Sequence, residues 1–281
     1  MAAENKYPYQ HFYADLTPYL IPGENNKILV VANAMDLTSR YYSGAGIFRD
    51  VFLCREGAVS IVSDSVRLTV TGLDEEGAAV RIDAKIRNEK ICPVDTILHA
   101  EISQEGRTLL DVSLPVLLHG GKTTQFTTKG YLKGIKTWSA EAPNLCEGKL
   151  TVSDRKAELD TESFETGIRT ISADSVHGLR INGRTEKLRG ACIHHDAGLL
   201  GADTYFDYEY RRIRLLKEAG FNAVRSAHNP ASRELLMACD RVGMYVMDEG
   251  FDMWNKMKNY ADFAADFEEG WESVLKAKEK S

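Results

Sequence analysis

Residues 188–254 alternate short apolar strands with helical segments, and this alternation restricts the fold more than any other feature of the chain. Apolar residues recur at helical spacing in two segments that lie between three short apolar runs. The predicted strands are 189–194, 222–226 and 244–248, and the predicted helices are 208–219 and 233–241. Two consecutive βα units followed by a third strand are typical of a parallel α/β sheet or barrel.

Local signals agree with these helix boundaries. Gly220 and Gly243 stand where helix C-termini favour glycine, and Ser232 is the expected N-cap of the second helix. Glu234 follows in the first turn, where the helix dipole favours an acidic side chain. A third amphipathic helix is predicted from the apolar residues Phe267, Trp271, Val274 and Leu275.

Polar side chains collect where each predicted strand ends. In a (β/α)8 barrel the C-terminal ends of the strands form the active-site face. Three successive strand ends of this kind predict a pocket for a polar ligand. The residues concerned are His194, His195 and Asp196 on the first strand, Arg225, His228 and Asn229 on the second, and Asp248 and Glu249 on the third.

Residues 58–170 have apolar side chains at every second position, which predicts β-strands. The run Val80, Ile82, Ala84, Ile86 is one example, and turn-rich breaks separate the runs. This pattern is typical of an immunoglobulin-like sandwich, here without a Cys–Trp–Cys signature. We expect Trp138 to be a core or interface anchor rather than a platform for a ligand.

Residues 1–57 predict further strands, among them 27–32 and 47–54, each of which follows a turn-forming segment. About three strands cannot form an independent sandwich. We therefore expect this region to lean on the next domain or to stay partly exposed.

Composition and charge restrict the class of protein. With 281 residues, 43% hydrophobic and 27% charged, the chain is an ordinary globular protein of two or three domains. The net charge of −6 argues against nucleic acid and against an anionic membrane as partners. The five cysteines include no CxxC pair, so neither a disulfide framework nor a zinc knuckle is indicated. Such cysteine usage is typical of a reducing compartment, and the N-terminal residues lack the pattern of a signal peptide, so we expect a cytoplasmic protein.

Several motifs resemble glycoside hydrolase family 2, the β-galactosidase and β-glucuronidase family. GACIHHD (190–196), NAVRSAHNP (222–230) and CDRVGMYVMDE (239–249) are similar to its first three barrel strands. WSAEAPNL and FETGIRTI resemble its immunoglobulin-like domain, and DLTPYL, PGENNKILVVAN and SRYYSGAGIFRDVFL resemble the end of its jelly-roll domain. The motifs occur in the family's order and cover nearly the whole chain.

The resemblance implies a multi-domain β plus α/β architecture. Residues 1–57 would be the C-terminal part of a jelly roll, 58–170 an immunoglobulin-like β-sandwich, and 171–281 the first three βα units of a (β/α)8 TIM barrel. The implied activity is retaining hydrolysis of a β-linked carbohydrate, β-galactosidase-like or β-glucuronidase-like. The resemblance is also compatible with a homo-oligomer of a full-length protein.

The catalytic glutamates of this family follow barrel strands four and seven, and neither strand is predicted within residues 1–281. Asp248 and Glu249 are adjacent, so their side chains diverge and cannot face each other across a glycosidic bond. Asn88-Glu89 is interpreted as a solvated surface pair. We therefore expect no catalytic residue in this chain, which we interpret as an internal fragment of an enzyme that is inactive alone.

What the chain is expected to contribute is substrate binding. Neighbouring residues on a strand point to opposite faces, and the resemblance assigns the substrate side to His195, with His194 facing away. On a strand that lines a barrel, Arg225 would be a buried cation and would need a carboxylate partner, with Asp248 and Glu249 of the next strand as candidates. Arg225 would thus organise the pocket floor, and the resemblance implies that His228 contacts sugar hydroxyls. The full set of expected substrate-binding residues is His195, Asp196, Arg225, His228, Asp248, Glu249, Asn33 and Arg40.

Two alternatives are open at this point. His194, His195, Asp196 and His228 are metal-ligand types, but HHD does not place both imidazoles of one strand on one face, as HxH does. Met253 and Asn255 stand where metal-dependent relatives carry a glutamate and a histidine. We expect no metal and no cofactor. The second alternative is a non-catalytic carbohydrate-binding or interaction protein built from the sandwich domains.

Overall fold

The computed structural model describes residues 2–33, 46–253, 256, 257, 267, 270–272 and 274. The strands in this part of the chain are β1 (Val59–Ile61), β2 (Arg67–Leu73), β3 (Gly77–Asn88), β4 (Val94–Gln104), β5 (Arg107–Leu118), β6 (Lys122–Lys133), β7 (Leu145–Ser153), β8 (Glu158–Gly167), β9 (Ile171–Asp174), β10 (Gly178–Ile181), β11 (Arg184–Thr185), β12 (Gly190–Ile193), β13 (Ala223–Ser226) and β14 (Tyr245–Asp248). The helices are α1 (Phe206–Glu218) and α2 (Arg233–Val242), with 3₁₀ turns at Thr17–Tyr19 and Gly198–Leu200.

Strands β1 to β8 form the predicted sandwich. In one sheet β3 pairs with β6 along one edge and with β1 and β2 along the other, and the second sheet has the order β5-β4-β7-β8. The consecutive strands β3 and β4 lie in different sheets, as do β6 and β7, which is typical of an immunoglobulin-like topology.

The sandwich core follows from the period-two pattern. Every second residue of β3 faces inward, and these side chains pack against the inward residues of β4 and β7. Full burial of one such aliphatic side chain contributes about 1.5–3 kcal/mol. The largest buried members are Ile82, Ile86, Leu98, Ile102, Leu118, Leu132, Leu150 and Ile168. Strands β9, β10 and β11 form a small antiparallel sheet between the sandwich and the α/β region.

Strands β12, β13 and β14 form a parallel sheet in that order, which we call the parallel sheet. Helix α1 connects β12 to β13, and α2 connects β13 to β14. The predicted strands and helices agree with the structure to within one or two residues. The Ser232 hydroxyl accepts a hydrogen bond from the Leu235 N–H at 3.1 Å, which confirms the predicted N-cap.

Trp138 confirms its predicted role as an anchor at the junction of the sandwich with the parallel sheet. It is 2% exposed, and its Nε1 donates to the Asp240 carbonyl at 2.8 Å. Lys217 Nζ donates to the carbonyls of Ala140 and Gly243 at 2.6 and 2.7 Å. Gly243 has φ +83°, and a Cβ there would lie 2.3 Å from the Ala140 oxygen, so both its conformation and its neighbour require glycine.

The two strands predicted at 27–32 and 47–54 are not formed, and that prediction is wrong. A β-strand is stabilised by pairing, and in the described part of the chain these segments have no strand beside them. Their apolar side chains are therefore exposed, with Leu29 at 79%. The jelly-roll assignment of 1–57 stays a prediction.

Only isolated positions are described after Met253. Phe267, Trp271 and Val274 lie in helical backbone, in agreement with the predicted third helix, and Val274 packs in a small cluster with Tyr7 and Phe251. Leu275 and Asn255 lie outside the described residues. In the described part of the chain, neither α-helix combines the length and apolar character of a membrane span.

Candidate functional site

The two faces of the parallel sheet have different surroundings. Val224 is buried against α1 and α2. Arg225 pairs in register with Cys192 on one side and Met247 on the other, so these three side chains share the opposite face. Met247 is 58% exposed there, although it is apolar. In a barrel, the face away from the helices is the interior, and we call it the inner face.

The two histidines of strand β12 lie the other way round from the prediction. His194 is two residues after Cys192, which places it on the inner face, and its ring centroid is 5.5 Å from that of His228. His195 points away and packs on Tyr9, with 5.1 Å between ring centroids. The predicted orientation of the two histidines is therefore wrong: His194, and not His195, lies on the inner face, because alternation along the strand continues from Cys192.

Five polar side chains meet at the inner face, and we call them the inner-face cluster: Cys192, His194, Arg225, His228 and Glu249. Arg225 Nε donates to Glu249 Oε1 at 2.5 Å, and Nη1 donates to Cys192 Sγ at 3.1 Å. His228 Nδ1 lies 3.2 Å from Glu249 Oε2. Each Glu249 oxygen thus faces its own partner.

The predicted carboxylate partner of Arg225 is Glu249 and not Asp248. The hydrogen bond to Glu249 is the main reason why the pKa of Arg225 is raised. The Arg225 side chain is 37% exposed, so it is not the buried cation that the sequence predicted. Its geometry still fits the predicted role, because Glu249, Cys192 and His228 are all arranged around the guanidinium group.

The structure does not bring all predicted residues into this cluster. Asp248 is on the helix side, where its Oδ1 accepts a hydrogen bond from the Ala231 N–H at 2.8 Å. Asp196 closes a local turn by accepting from the Gly198 N–H at 3.0 Å. Asn33 is exposed at the end of its described segment, and Arg40 lies outside the described residues.

Two residues that sequence reasoning missed hold the loop that carries His228. The Tyr7 hydroxyl bonds to Asn229 and Gly250, and the Arg49 guanidinium donates to the Pro230 carbonyl at 2.7 Å. Arg49 is part of the motif GIFRD, and Tyr7 belongs to the aromatic-rich run YPYQHFY. Neither contact follows from local pattern, since the partners are more than 170 positions away along the chain.

His195 is enclosed by this same arrangement. Its Nε2 lies 3.3 Å from the Asn229 carbonyl, so Nε2 carries the proton and donates to it. Burial and, to a smaller extent, the positive charge of Arg49 lower the pKa of His195 to about 4. His195 is therefore neutral near pH 7 and acts as a fixed packing and hydrogen-bonding group.

The chemistry that the inner-face cluster offers is hydrogen bonding to hydroxyl groups. Imidazole, guanidinium and carboxylate groups together supply both donors and acceptors at the C-terminal ends of three parallel strands. Asp252 adds a second carboxylate 3.9 Å from His228 Nδ1. In the described residues, no three His, Cys, Asp or Glu side chains are arranged to hold a metal ion.

Two family profiles match the chain and divide it at the junction described above. The profile described as "Glycosyl hydrolases family 2" matches residues 60–169. The profile described as "Glycosyl hydrolases family 2, TIM barrel domain" matches residues 175–277. Each profile thus covers one of the two structural parts.

Relatives of known name match over most of the chain. The β-galactosidase BoGH2A of Bacteroides ovatus is 36% identical over 271 residues, which are 96% of this chain and 32% of the relative. A putative β-glucuronidase of Formosa agariphila is 28% identical over 274 residues, covering 96% of this chain and 25% of that protein. The chain therefore spans a quarter to a third of the length of these two relatives.

A solved structure shows the same arrangement. A glycosyl hydrolase family 2 member from Bacteroides cellulosilyticus superposes with a TM-score of 0.80 at 34% identity, covering 85% of this chain and 31% of that one. The sandwich and barrel parts of the predicted fold class are thereby confirmed. On the agreement of motifs, both profiles and the fold, this chain belongs to glycoside hydrolase family 2.

Proposed function

We propose that this chain supplies the sugar-binding side of the catalytic pocket of a retaining O-glycosyl hydrolase that acts on a β-galactoside or β-glucuronide. The observation that carries the proposal is the inner-face cluster, which places His194 beside His228 and pairs Arg225 with Glu249 at the strand ends. The cluster belongs to the barrel part and not to the sandwich. This location favours an enzyme over a binding module built from the sandwich.

Within the cluster we assign distinct tasks. His194 and His228 contact sugar hydroxyls, and Arg225 holds Glu249 so that its second oxygen faces His228. Such contacts help catalysis when they strengthen as the sugar ring distorts toward the oxocarbenium-like transition state. His195 takes no part in contact with the sugar. Asn33, Arg40 and Asp196 remain proposed substrate-binding residues.

We further propose that residues 1–281 alone do not turn over substrate. Glu249 is engaged with Arg225 and His228, and Asp248 with the loop before α2, so neither is free to act as a nucleophile. The pair of carboxylates that attacks and protonates the bond then comes from other barrel strands. Purified chain incubated with nitrophenyl β-galactoside and nitrophenyl β-glucuronide tests this. Turnover that is lost on Glu249→Gln would contradict the assignment.

The binding role is tested by kinetics in a longer polypeptide that contains all eight barrel strands. We expect His194→Ala and His228→Ala each to lower kcat/KM roughly 30- to 150-fold. This corresponds to a loss of about 2–3 kcal/mol of transition-state stabilisation, because a hydroxyl contact in an enclosed site is lost. His177→Ala is the matched control, because His177 lies in the β9–β10 turn beside Asp174. Full activity of both His194→Ala and His228→Ala would refute the proposed site.

A further inference from the structure

The Tyr7 hydroxyl lies between the ends of strands β13 and β14. Tyr7 is 4% exposed, and its ring stacks on Phe251 with 4.5 Å between centroids. The hydroxyl proton faces two acceptors, Asn229 Oδ1 at 2.9 Å and the Gly250 carbonyl at 2.8 Å. One phenol from the N-terminal segment therefore links two loops of the barrel part.

The two residues that Tyr7 holds are chain neighbours of the two residues that pair in the cluster. Asn229 directly follows His228, and Gly250 directly follows Glu249. His228 Nδ1 and Glu249 Oε2 are 3.2 Å apart. A displacement of either loop changes this distance directly, because only one residue separates each contact from the pair.

Arg49 holds the same loop from the same side. Its Nη2 donates to the Pro230 carbonyl at 2.7 Å, and its Nη1 donates to the Tyr9 carbonyl at 3.0 Å. Residues of the N-terminal region thus approach the His228 loop at two consecutive positions, Asn229 and Pro230. Both contacts reach across more than 170 positions of the chain, so they add a constraint that the βα units do not have on their own.

We propose that Tyr7 is a positioning residue that sets the separation of His228 and Glu249 across the ends of β13 and β14. This proposal depends on the proposed function only for the effect of the His228–Glu249 pair on a bound sugar. The mechanical coupling itself is a property of this chain. A purely structural residue would affect the stability of the chain without changing the His228 environment in the folded molecules.

The test uses the 281-residue chain labelled with ¹⁵N-histidine and ¹⁵N-alanine. Imidazole spectra resolve the side chains of its seven histidines, and His228→Gln assigns the His228 signals. In Tyr7→Phe we expect the chemical shift of His228 Nδ1 to change, because the distance between this nitrogen and Glu249 Oε2 changes. We also expect the Ala231 amide to exchange with solvent about tenfold faster, because a buried hydrogen bond of the loop is gone.

Tyr9→Phe is the matched control. Tyr9 lies in the same segment, and its hydroxyl makes no hydrogen bond with the described part of the chain. The His228 signal and the Ala231 exchange rate should stay at their wild-type values in this variant. Identical results for Tyr7→Phe and Tyr9→Phe would overturn the proposal.

A second variant covers the case in which Tyr7→Phe does not fold. Asn229→Ala removes the β13 arm of the bridge and leaves the Tyr7 ring in its packing with Phe251. The same change in the chemical shift of His228 Nδ1 is expected, and an unchanged signal would overturn the proposal. No sugar and no turnover enter these measurements, so their outcome is separate from the fate of the proposed hydrolase activity.

Discussion

The sandwich and the parallel sheet differ in how many of their faces are covered. In the sandwich, Ile82 and Ile86 of β3 face Leu98 and Ile102 of β4, and both sheets have their inner faces buried. In the parallel sheet the helix side is buried, whereas Met247 on the inner face is 58% exposed. Antiparallel sheets tolerate one solvated face, but parallel sheets are normally covered on both. The sandwich is therefore complete by itself, and the parallel sheet depends on its neighbours.

This difference places the proposed sugar-binding side chains and the buried core on opposite sides of the same sheet. The inner-face cluster lies on the uncovered side, where its residues contribute little to a core. The stability of the region comes from α1 and α2 and from the junction with the sandwich at Trp138 and Lys217. Substitutions in the cluster are accordingly expected to change binding more than folding.

The largest effect expected from this comparison appears when the two parts are separated. Residues 58–170 expressed alone should be a folded, protease-resistant sandwich, because both sheets and the core between them are contained in this range. Residues 171–281 alone should be aggregation-prone and readily cleaved, since the inner face stays open and the contacts to Trp138 and Ala140 are lost. Limited proteolysis followed by mass spectrometry measures this.

The intact chain is the control for that experiment. In it the junction is present, so 171–250 should be cleaved more slowly than in the isolated piece. If residues 171–281 resisted proteolysis as well as the sandwich does, the comparison would be contradicted. The parallel sheet would then need no cover on its inner face.

A smaller effect is expected from two single substitutions, one in the sandwich core and one on the inner face of the parallel sheet. Ile82→Ala empties space in the closed core and should lower the free energy of unfolding by about 2–5 kcal/mol. Met247→Ala removes a side chain from the open face and should cost no more than about 0.5 kcal/mol. Chemical denaturation followed by circular dichroism compares the two variants. Equal losses would mean that the inner face is buried in solution by something other than these residues.

Much of the fold was predictable because its signals are local. The period-two pattern of β3, the Ser232 cap and the αL glycine at Gly243 each depend on neighbours in sequence. The Arg225–Glu249 ion pair was also within reach, with Asp248 as the alternative, since adjacent parallel strands bring their ends together. Alternation then decides between the two carboxylates, once Arg225 is known to face inward.

The features that were predicted wrongly or missed depend on contacts or on strand pairing, which a local sequence pattern does not show. The prediction for His195 followed a motif comparison, whereas alternation from Cys192 places His194 inward. The strand predicted at 27–32 has the right residues but no partner beside it in the described structure. Tyr7 and Arg49 could not be identified from pattern, because a hydrogen bond to a residue 222 or 181 positions away leaves no local trace.

The smallest expected effect is the pH dependence of stability that comes from His195, which packs against the N-terminal residue Tyr9. Burial lowers the pKa of His195 from 6.5 to about 4 in the folded chain. Between these two values the unfolded chain binds a proton that the folded chain does not, so stability is fully present above about pH 6.5 and falls as the pH is lowered. At pH 5 the loss from this one group is roughly 2 kcal/mol, by the linkage between pKa and folding.

The measurement compares the free energy of unfolding of wild type and His195→Gln at pH 7 and pH 5. Glutamine keeps an N–H that can donate to the Asn229 carbonyl but takes up no proton, so the variant should lose less stability between the two pH values. Comparing the two chains cancels the contributions of Glu209 and Asp240, whose pKa values burial raises. Equal losses in both chains would show that His195 is not enclosed by Tyr9 and the Asn229 loop in solution. The parallel sheet would then be exposed to solvent also where Tyr9 packs against His195.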